Sequence, residues 1–509
     1  MKVARWLIGI AGGVLLAMWL FVVFGSRTPV LREALLAALR DKLDADVELQ
    51  SFEADIFPVV RITGDGLRLR LRDQRERRPL IEIAHFEVQS GIRGLLQRPR
   101  RFKSVTLDGL KITIPPRSGH DRESGNAAAA ETTDGPIVID QVIAHNAELL
   151  LIPKRVDKEP KRFDIYDLRL ESVGFNRSMP YNATLTNPVP KGLIVASGSF
   201  GPWRATEPGD TPLKGRYAFK NADLNTIKGI AGTLSSEGEF SGKLAEIDVR
   251  GKTSTPNFSI DVGGRPVPLQ TEFHAVVDGT DGDTYLKRVD AKFLDTPLTA
   301  TGAITGQPGV KGRTIKVDVR MENGKIDDVL RMAVKSPNPV MNGALALETS
   351  LLIPPGPSKV ADRLQLNGRF AIQEGRFTDP AVHTKLVTLS RLSQGKDADD
   401  ASGRMLTGMR GEFSLENGLV TFKALTFEVP GADVDLAGDY GLRSEQLNFA
   451  GTLSMQATIS EAAGGGVKGV LLKAVDPLFK KPGHGAVVPI KIHGTRAKPE
   501  FGLDARRIW

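Results

Sequence analysis

The sequence predicts a mainly β protein built on one long, curved antiparallel sheet, and three observations support this prediction. Apolar and polar residues alternate along most of the chain, most clearly over residues 67–72, where leucine and arginine take turns. Alternation with a period of two is typical of a strand with one dry and one wet face. The chain has 53 glycines and 31 prolines, which suit the turns between short strands. One uncharged apolar run, residues 6–24, precedes the alternating pattern.

The apolar run predicts a single transmembrane helix. Residues 6–24 come close to the roughly 20 residues that cross a bilayer. Lys2 and Arg5 precede the run, which predicts a cytoplasmic N-terminus and an exported body. A cleaved signal peptide is the alternative, but the run is longer than the usual apolar core of such a peptide. We therefore expect a retained anchor.

Helical spacing of apolar residues occurs at four further places. An amphipathic helix is predicted over residues 28–44, where a Thr-Pro pair provides the N-cap and the first helical position. Shorter helices are predicted over residues 225–234, 380–392 and 467–479. The helix at 28–44 either plugs the first end of the sheet, which we expect, or lies at the membrane interface. The helix at 467–479 is expected to be a plug as well, with a partner contact or an interfacial position as the alternatives.

Alternating runs predict the strands. The early ones cover residues 47–52, 61–72, 81–89, 103–108, 110–114, 137–140, 148–152 and 166–175. The apolar parity shifts at Asp108-Gly109, which predicts a tight turn or a bulge. Beyond residue 198 a glycine followed by alternating residues recurs, for example at Gly368 and Gly451. The spacing is too irregular for a strict solenoid repeat.

These elements divide the chain into five predicted parts. Residues 1–25 form the N-terminus and anchor, and residues 26–116 form the amphipathic helix and the first strands. Residues 117–136 lack apolar periodicity and are predicted to be a flexible loop. Residues 137–380 form the central β region, and residues 381–509 form a C-terminal β region with helices.

The sequence contains no recognisable catalytic centre. The absence of cysteine excludes disulfides and thiolate metal sites. The seven histidines are scattered without metal-ligand spacing, and there is no nucleophile elbow, P-loop or dinucleotide-binding motif. We therefore predict a protein that is not an enzyme and that needs no metal or cofactor.

The net charge of +8 is concentrated near the predicted anchor. Residues 61–103 contain twelve Lys or Arg and five Asp or Glu, a local charge of +7. These cations either face anionic lipid headgroups or form an ordinary solvated surface. Nucleic acid is not an expected partner, because aromatic residues are not interleaved with the arginines.

A sheet of this length must cover its apolar face. It either packs as a closed sandwich or curls and leaves an apolar groove, and the alternation alone does not choose between them. The candidate lining positions are mostly aliphatic, which suits both arrangements. They are Leu67, Leu69, Leu71, Val105, Leu107, Ile112, Ile114, Phe370, Ile372, Phe413, Leu415, Phe422, Phe427, Ile490 and Ile492.

The order of parts resembles the AsmA-like family of bacterial envelope proteins. At the N-terminal end the resemblance lies in the basic start, the apolar span, the helix of residues 29–43, the FEADIFP segment at 52–58 and the KSVTLDGLKITI segment at 103–114. At the C-terminal end it lies in Gly375-Arg376-Phe377, the ENGLV segment at 416–420 and the VVPIKIHGTRAKPEFGLD segment at 487–504. The middle of the chain agrees only in its β character.

The resemblance implies a β-taco-like groove, similar to that of TamB and of chorein-type bridge-like lipid-transfer proteins. Residues 26–116 would then be chorein-like, and residues 381–509 would be the AsmA-like C-terminal region. The implied protein is anchored in the inner membrane, lies in the periplasm and conducts phospholipids toward the outer membrane. Other outer-membrane or envelope proteins are implied as further partners. The alternative is a scaffold for the assembly of outer-membrane proteins with a closed β-sandwich core.

Overall fold

A computed structural model describes most of the body of the chain. The described residues are 33, 45–55, 59–71, 79, 81–97, 100–114, 137–151, 161–174, 177–202, 204, 208–261, 264–279, 282–307, 310, 312–334, 338–378, 380–395, 407–462, 485–496 and 498–503. The chain divides into two compact units. Unit 1 comprises residues 1–223, 235–251 and 277–280, and unit 2 comprises residues 224–234, 252–276 and 281–509.

The described residues are mainly strands, as the alternation predicts. Up to residue 223 they are β1 Ala45–Glu48, β2 Ser51–Asp55, β3 Val60–Leu71, β4 Ile81–Ser90, β5 Arg100–Asp108, β6 Lys111–Ile114, β7 Ile137–Leu151, β8 Lys161–Val173, β9 Met179–Pro188, β10 Lys191–Phe200 and β11 Pro212–Asp223. Then follow β12 Ile230–Ala231, β13 Thr233–Lys243, β14 Glu246–Ile260, β15 Val267–Val277, β16 Thr284–Phe293, β17 Thr296–Gly306, β18 Arg313–Lys325, β19 Met341–Ile353 and β20 Gln365–Phe377. The last are β21 Thr407–Glu416, β22 Leu419–Val429, β23 Ala432–Gly441, β24 Gln446–Met455, β25 Ala486–Thr495 and β26 Lys498–Leu503.

Short helices interrupt these strands. They are α1 Ile92–Leu96, α2 Ile326–Ala333, α3 Val360–Arg363, α4 Pro380–Ser393 and α5 Ile459–Ala462. The prediction of a helix over residues 380–392 is confirmed by α4. The prediction over residues 225–234 is wrong: a 3₁₀ turn at Leu224–Thr226 is followed by strand, because Gly229 and Gly232 take positive φ values and end the turn.

Several predictions fall outside the described residues. These are the span at 6–24, nearly all of the amphipathic helix at 28–44, the loop at 117–136 and the helix at 467–479. Within the part of the chain that is described, no helix is both long and apolar enough to cross a bilayer.

In unit 1 the chain forms an almost entirely antiparallel ladder. β1 and β2 both pair with β3, and antiparallel pairs then link β3 to β4, β7 to β8 and each following strand up to β11. The exception is the parallel pairing of β5 and β6 with β7. Alternation of apolar and polar residues carries no information on strand direction, so it could not predict this pairing. Parallel neighbours need a connection that returns the chain to the starting edge, and residues 115–136 make this connection in sequence.

The predicted break at Asp108-Gly109 is a kink between β5 and β6, with Gly109 at φ +63°. Both strands lie between the same neighbours, β4 and β7, so the chain continues across the kink. Neighbouring strands shift their parity at the same level, where Gly66 in β3 and Asn146 in β7 also have positive φ values. The irregularities therefore form a line across the sheet, as adjacent bulges do.

Charged side chains follow this line on the polar face. Register places Asp65 beside His85, His85 beside Asp108, Asp108 beside His145 and His145 beside Asp167. His85 Nδ1 lies 2.7 Å from Asp65 Oδ1, and His145 Nδ1 lies 3.1 Å from Asp167 Oδ1. We call this set the Asp/His row. It sits on the wet face because each bulge turns one extra polar residue outward.

The apolar face of unit 1 is deeply buried near the N-terminal strands. Ile62, Leu69 and Phe102 are 0% exposed, and Leu67 is 2% exposed. They belong to one cluster contributed mainly by β1–β7. Full burial of such a side chain stabilises the fold by about 1.5–3 kcal/mol, so this face is a packed core.

In unit 2 every strand from β16 to β26 pairs antiparallel with its successor. Two buried clusters lie at the end of the strands where α2 and α4 are found. The buried carboxylate of Asp328 in α2 accepts hydrogen bonds from the backbone N–H of Asp295 (3.1 Å) and the hydroxyl of Thr296 (2.9 Å). These bonds fix α2 to the turn between β16 and β17.

Candidate apolar binding face

The apolar side of unit 2 carries two neighbouring rows of residues that cross the strands. One row runs through Met321, Leu347, Phe370, Gly411, Leu425, Leu436, Gly451 and Ile490. The next runs through Val319, Thr349, Gly368, Phe413, Phe422, Gly438, Phe449 and Ile492. Most of their side chains are only partly buried. We call these two rows the unit 2 apolar face.

Aromatic rings join the strands along this face. The Phe370 ring lies 6.2 Å from the Phe413 ring and 6.3 Å from the Phe422 ring, measured between centroids. Phe422 lies 5.8 Å from Phe449. Tilted and edge-on pairs at these separations add about 0.5–1.5 kcal/mol each beyond the burial of their area. The rings therefore fix the register of β20–β24 while leaving part of their surface open.

The glycines of these rows lie where neighbouring strands approach closely. A Cβ atom added at Gly451 would lie 1.8 Å from the carbonyl oxygen of Asp435, and one at Gly438 would lie 2.1 Å from that of Asn448. A Cβ added at Gly302, on the same face in β17, would lie 2.2 Å from the carbonyl oxygen of Lys316. Backbone from the next strand thus crowds the apolar side at mid-strand, where only glycine fits.

The predicted lining residues have different environments in the two units. In unit 1, Leu67 and Leu69 are buried in the core, and Val105, Leu107 and Ile112 pack against it. In unit 2, Ile372, Leu415 and Phe427 are buried. Phe370, Phe413, Phe422, Ile490 and Ile492 are partly exposed on the unit 2 apolar face. The side chains of Leu71 and Ile114 are outside the described set.

Two tyrosines beside the apolar surfaces lie in surroundings of low polarity, as the raised pKa of each phenol indicates. Burial raises the pKa of Tyr440, on β23 in unit 2, against a smaller opposing effect of the Arg496 charge. In unit 1, burial raises the pKa of Tyr217, and a hydrogen bond with Ser236 partly offsets this rise. A phenol in such surroundings is held neutral, so neither tyrosine offers a phenolate to a ligand.

Charged side chains on the polar side of unit 2 form ion pairs with one another. Arg320, Glu348, Arg369 and Glu412 follow one another across β18–β21. Arg369 Nε donates a hydrogen bond to Glu348 (2.9 Å), and Arg320 Nε lies 3.5 Å from the same carboxylate group. A depression of ≈ 730 Å³ lies along this row. Because its charges pair with one another, it does not present a field of one sign to a ligand.

Basic residues of unit 1 are also paired. Arg61 lies 2.8 Å from Glu87, Arg70 lies 2.9 Å from Glu48, and Arg101 lies 2.6 Å from Asp140. Part of the basic excess predicted from residues 61–103 is therefore neutralised by neighbouring carboxylates. Among the described residues, no three His, Asp or Glu side chains are placed to share one metal ion, the Asp/His row included.

Sequence reasoning missed some members of the apolar face. Phe449, Leu436 and Leu347 belong to it, although they were not among the candidate lining residues. Two of them lie on strands with a recognisable signal: Gly451 is on the strand of Phe449, and Gly438 is on the strand of Leu436. The recurring glycines could have identified these two residues, whereas Leu347 has no such signal.

The comparisons with known proteins add no relative. No family model, curated protein or solved structure matches this chain.

Proposed function

We propose that the chain is an AsmA-like protein that holds phospholipid acyl chains in a trough formed by the unit 2 apolar face. In this proposal residues 6–24 anchor it in the inner membrane, the body lies in the periplasm, and lipid moves toward the outer membrane. The observation that supports the proposal is the succession of apolar residues, most of them partly exposed, that continues across the strands from β18 to β25. In this proposal the sheet curls around these residues and forms the trough.

The physical argument is the gain from covering that surface. A contiguous apolar surface on a soluble body is typical of a binding site. Each acyl methylene removed from water contributes about 0.8 kcal/mol. Aliphatic and aromatic side chains impose little directional preference, so an acyl chain can slide along them while its headgroup stays in water. No catalytic group or cofactor enters this function.

The unit 1 core favours a second candidate. Its apolar face is packed as tightly as the centre of a closed sandwich, with Val60, Ile62 and Leu69 at 0% exposure. If the apolar face of unit 2 is covered by protein in the same way, the chain is a scaffold for the assembly of outer-membrane proteins. The two candidates differ in whether lipid occupies unit 2.

Photocrosslinking separates these candidates. The full chain is expressed in bacterial membranes supplied with a phospholipid that carries a diazirine in its acyl chain, then irradiated, purified and digested. We expect labelled peptides that contain Phe413, Phe422 or Phe449. Label confined to residues 6–24 would represent only lipid surrounding the span, and it would contradict the proposal and favour the scaffold.

A further inference from the structure

The connection between β19 and β20, residues 354–364, extends away from its own strands. It leaves β19 after Ile353, which pairs with Ile315 near the start of β18. Helix α2 follows Lys325 at the other end of β18. The connection and α2 therefore lie at opposite ends of the β18–β19 ladder. In a flat sheet, 13-residue strands would separate these ends by about 40 Å.

The connection nevertheless contacts the far end of β12 and β14. The backbone N–H of Val360 donates a hydrogen bond to the carbonyl oxygen of Lys228 (3.2 Å). Lys228 Nζ donates one to the carbonyl oxygen of Pro357 (3.3 Å), and Lys359 forms an ion pair with Asp261.

Helix α2 contacts the same stretch of chain from the opposite side. The backbone N–H of Arg265 donates a hydrogen bond to the carbonyl oxygen of Arg331 (2.8 Å), only four residues beyond Asp261. Both ends of the ladder thus reach one short segment, residues 261–265. Residues 354–364 therefore extend from one end of the β18–β19 ladder toward the other.

The two attachments of this segment differ in kind. On its own side the segment continues covalently into β19 and β20, and Asp362 also pairs with Arg443 in the β23–β24 turn. On the crossing side it is held by the two hydrogen bonds with Lys228 and by the ion pair of Lys359 with Asp261, whose side chains are 55% and 48% exposed. Exposed ion pairs are weak and these contacts are not covalent, so we expect the crossing side to open first.

We infer that residues 354–364 form a strap across the mouth of the unit 2 trough, and that it must release Lys228 and Asp261 to let a phospholipid pass. This inference rests on the proposed function. A phospholipid whose acyl chains lie on the apolar face keeps its charged headgroup in the open mouth, because burying that charge without partners is costly. The strap occupies that mouth, so a headgroup moving along the trough meets it.

The cysteine-free chain allows the strap to be locked reversibly. A Cβ added at Gly229 would lie 3.1 Å from the Cβ of Val360 and 2.9 Å from its backbone nitrogen, so the two residues must move slightly apart to reach disulfide distance. The positive φ of Gly229 adds backbone strain, which is why a second variant is also tested. The double variant Gly229→Cys/Val360→Cys is made in the full chain and reconstituted in donor vesicles of phosphatidylethanolamine and phosphatidylglycerol with a fluorescent phospholipid. Transfer to acceptor vesicles of the same unlabelled lipids is followed.

We expect the oxidised double variant to transfer lipid no faster than vesicles without protein, and reduction of the same sample to restore transfer. Val360→Cys alone, oxidised identically, is the matched control and should stay active. Equal rates in the oxidised and reduced forms would overturn the strap while leaving the proposed function standing. No transfer by the unmodified chain would overturn both.

A second variant covers failure of the double cysteine variant to fold. Lys359→Ala removes the ion pair on the crossing side, and we expect transfer about 2- to 5-fold faster, the factor that an exposed pair can supply. Lys325→Ala, which removes a similarly exposed ion pair with Asp295 outside the strap, is the comparison and should not accelerate transfer. A Lys359→Ala rate equal to that of the unmodified chain would contradict the inference.

Discussion

The first strands of unit 1 and the later strands of unit 2 share the alternation of apolar and polar residues. They differ in how far their apolar side chains are buried. In unit 1 the apolar side of β3 and β4 is closed, with Leu69 at 0% and Ile81 at 1% exposure. In unit 2 the corresponding side of β21 and β22 leaves Phe413 and Phe422 partly open. Alternation thus identifies the apolar side of a strand, but not whether protein covers it.

Glycines alone do not account for this difference. Unit 2 places Gly368, Gly411, Gly438 and Gly451 within the two rows of its apolar face. Unit 1 contains equally crowded glycines, since a Cβ added at Gly64 would lie 2.5 Å from the Phe86 ring and one at Gly198 would lie 2.0 Å from the carbonyl oxygen of Lys214. The difference therefore lies in how far other side chains cover the apolar residues.

The largest expected difference comes from a buried charge in each region. Leu69→Glu should cost unit 1 about 4 kcal/mol or more, because the carboxylate would be buried without a partner. Phe413→Glu should cost about 1–2 kcal/mol, since its side chain already meets water. Urea denaturation followed by circular dichroism measures both losses.

The same pair of variants sharpens the functional contrast. Phe413→Glu should remain folded yet lose most photocrosslinking to acyl chains, and Phe413→Leu is the matched apolar control that should retain it. Equal destabilisation by Leu69→Glu and Phe413→Glu would mean that the two regions are equally closed, contrary to the comparison.

A smaller effect is expected from the close approach of neighbouring strands in unit 2. Gly451→Ala would force a Cβ against the Asp435 carbonyl oxygen, and overpacking of this kind costs about 1–3 kcal/mol. Gly502→Ala in β26 is the control, since its nearest side-chain atom would be 3.7 Å away. We expect Gly502→Ala to change the unfolding free energy by less than about 0.5 kcal/mol. Similar values for both variants would show that the close approach at Gly451 does not limit the sheet.

The smallest effect concerns the Asp/His row on the polar side of unit 1. The hydrogen bond from Ser51 and then that with His85 hold the pKa of Asp65 below its ordinary value of 3.8. A lowered folded-state pKa stabilises the protein above pH 3.8, and this contribution disappears as the pH falls through the folded-state pKa. Asp65→Asn should therefore lose less stability than the unmodified chain below pH 3.8.

Urea midpoints measured in steps from neutral to strongly acidic pH test this expectation. Asp290→Asn in unit 2 is the positive comparison. The pKa of Asp290 is also lowered by a hydrogen bond, which Arg288 donates, so this variant should change in the same direction in acid. If the urea midpoint of Asp65→Asn depends on pH in the same way as that of the unmodified chain, Asp65 contributes no stability through the Asp/His row.

Much of the fold follows from local physical rules that the sequence displays directly. The run at residues 61–72 and the observed β3, Val60–Leu71, agree closely because alternation there is strict and the strand has one buried face. Helix α4 begins at Pro380, a residue suited to the first turn. The parallel contact of β5 with β7 was not predictable, since it depends on how a long connection returns rather than on any local pattern.

The candidate site was predictable only in part. Phe370, Phe413 and Phe422 were identified as apolar positions, but their nearness to one another depends on register shifts at the bulges in β21 and β22. Such shifts cannot be counted along a single strand. The ion pair of Lys359 with Asp261 was not foreseeable either, because the two residues are 98 apart in the sequence and meet only in the folded unit.

The succession of strands in unit 2 bears on how the chain acquires its structure. From β16 onward each strand finds its partner in the one just before it, so most pairings close short loops. Short loops form quickly and lose little chain entropy. A polypeptide that is synthesised from its N-terminus could therefore add one strand after another to the sheet before its C-terminal residues are made. Growth by such increments would leave one unsaturated strand edge at every stage. Among the described strands the last such edge belongs to β26, which is short and contains Pro499, a residue that cannot donate a backbone hydrogen bond to a further strand.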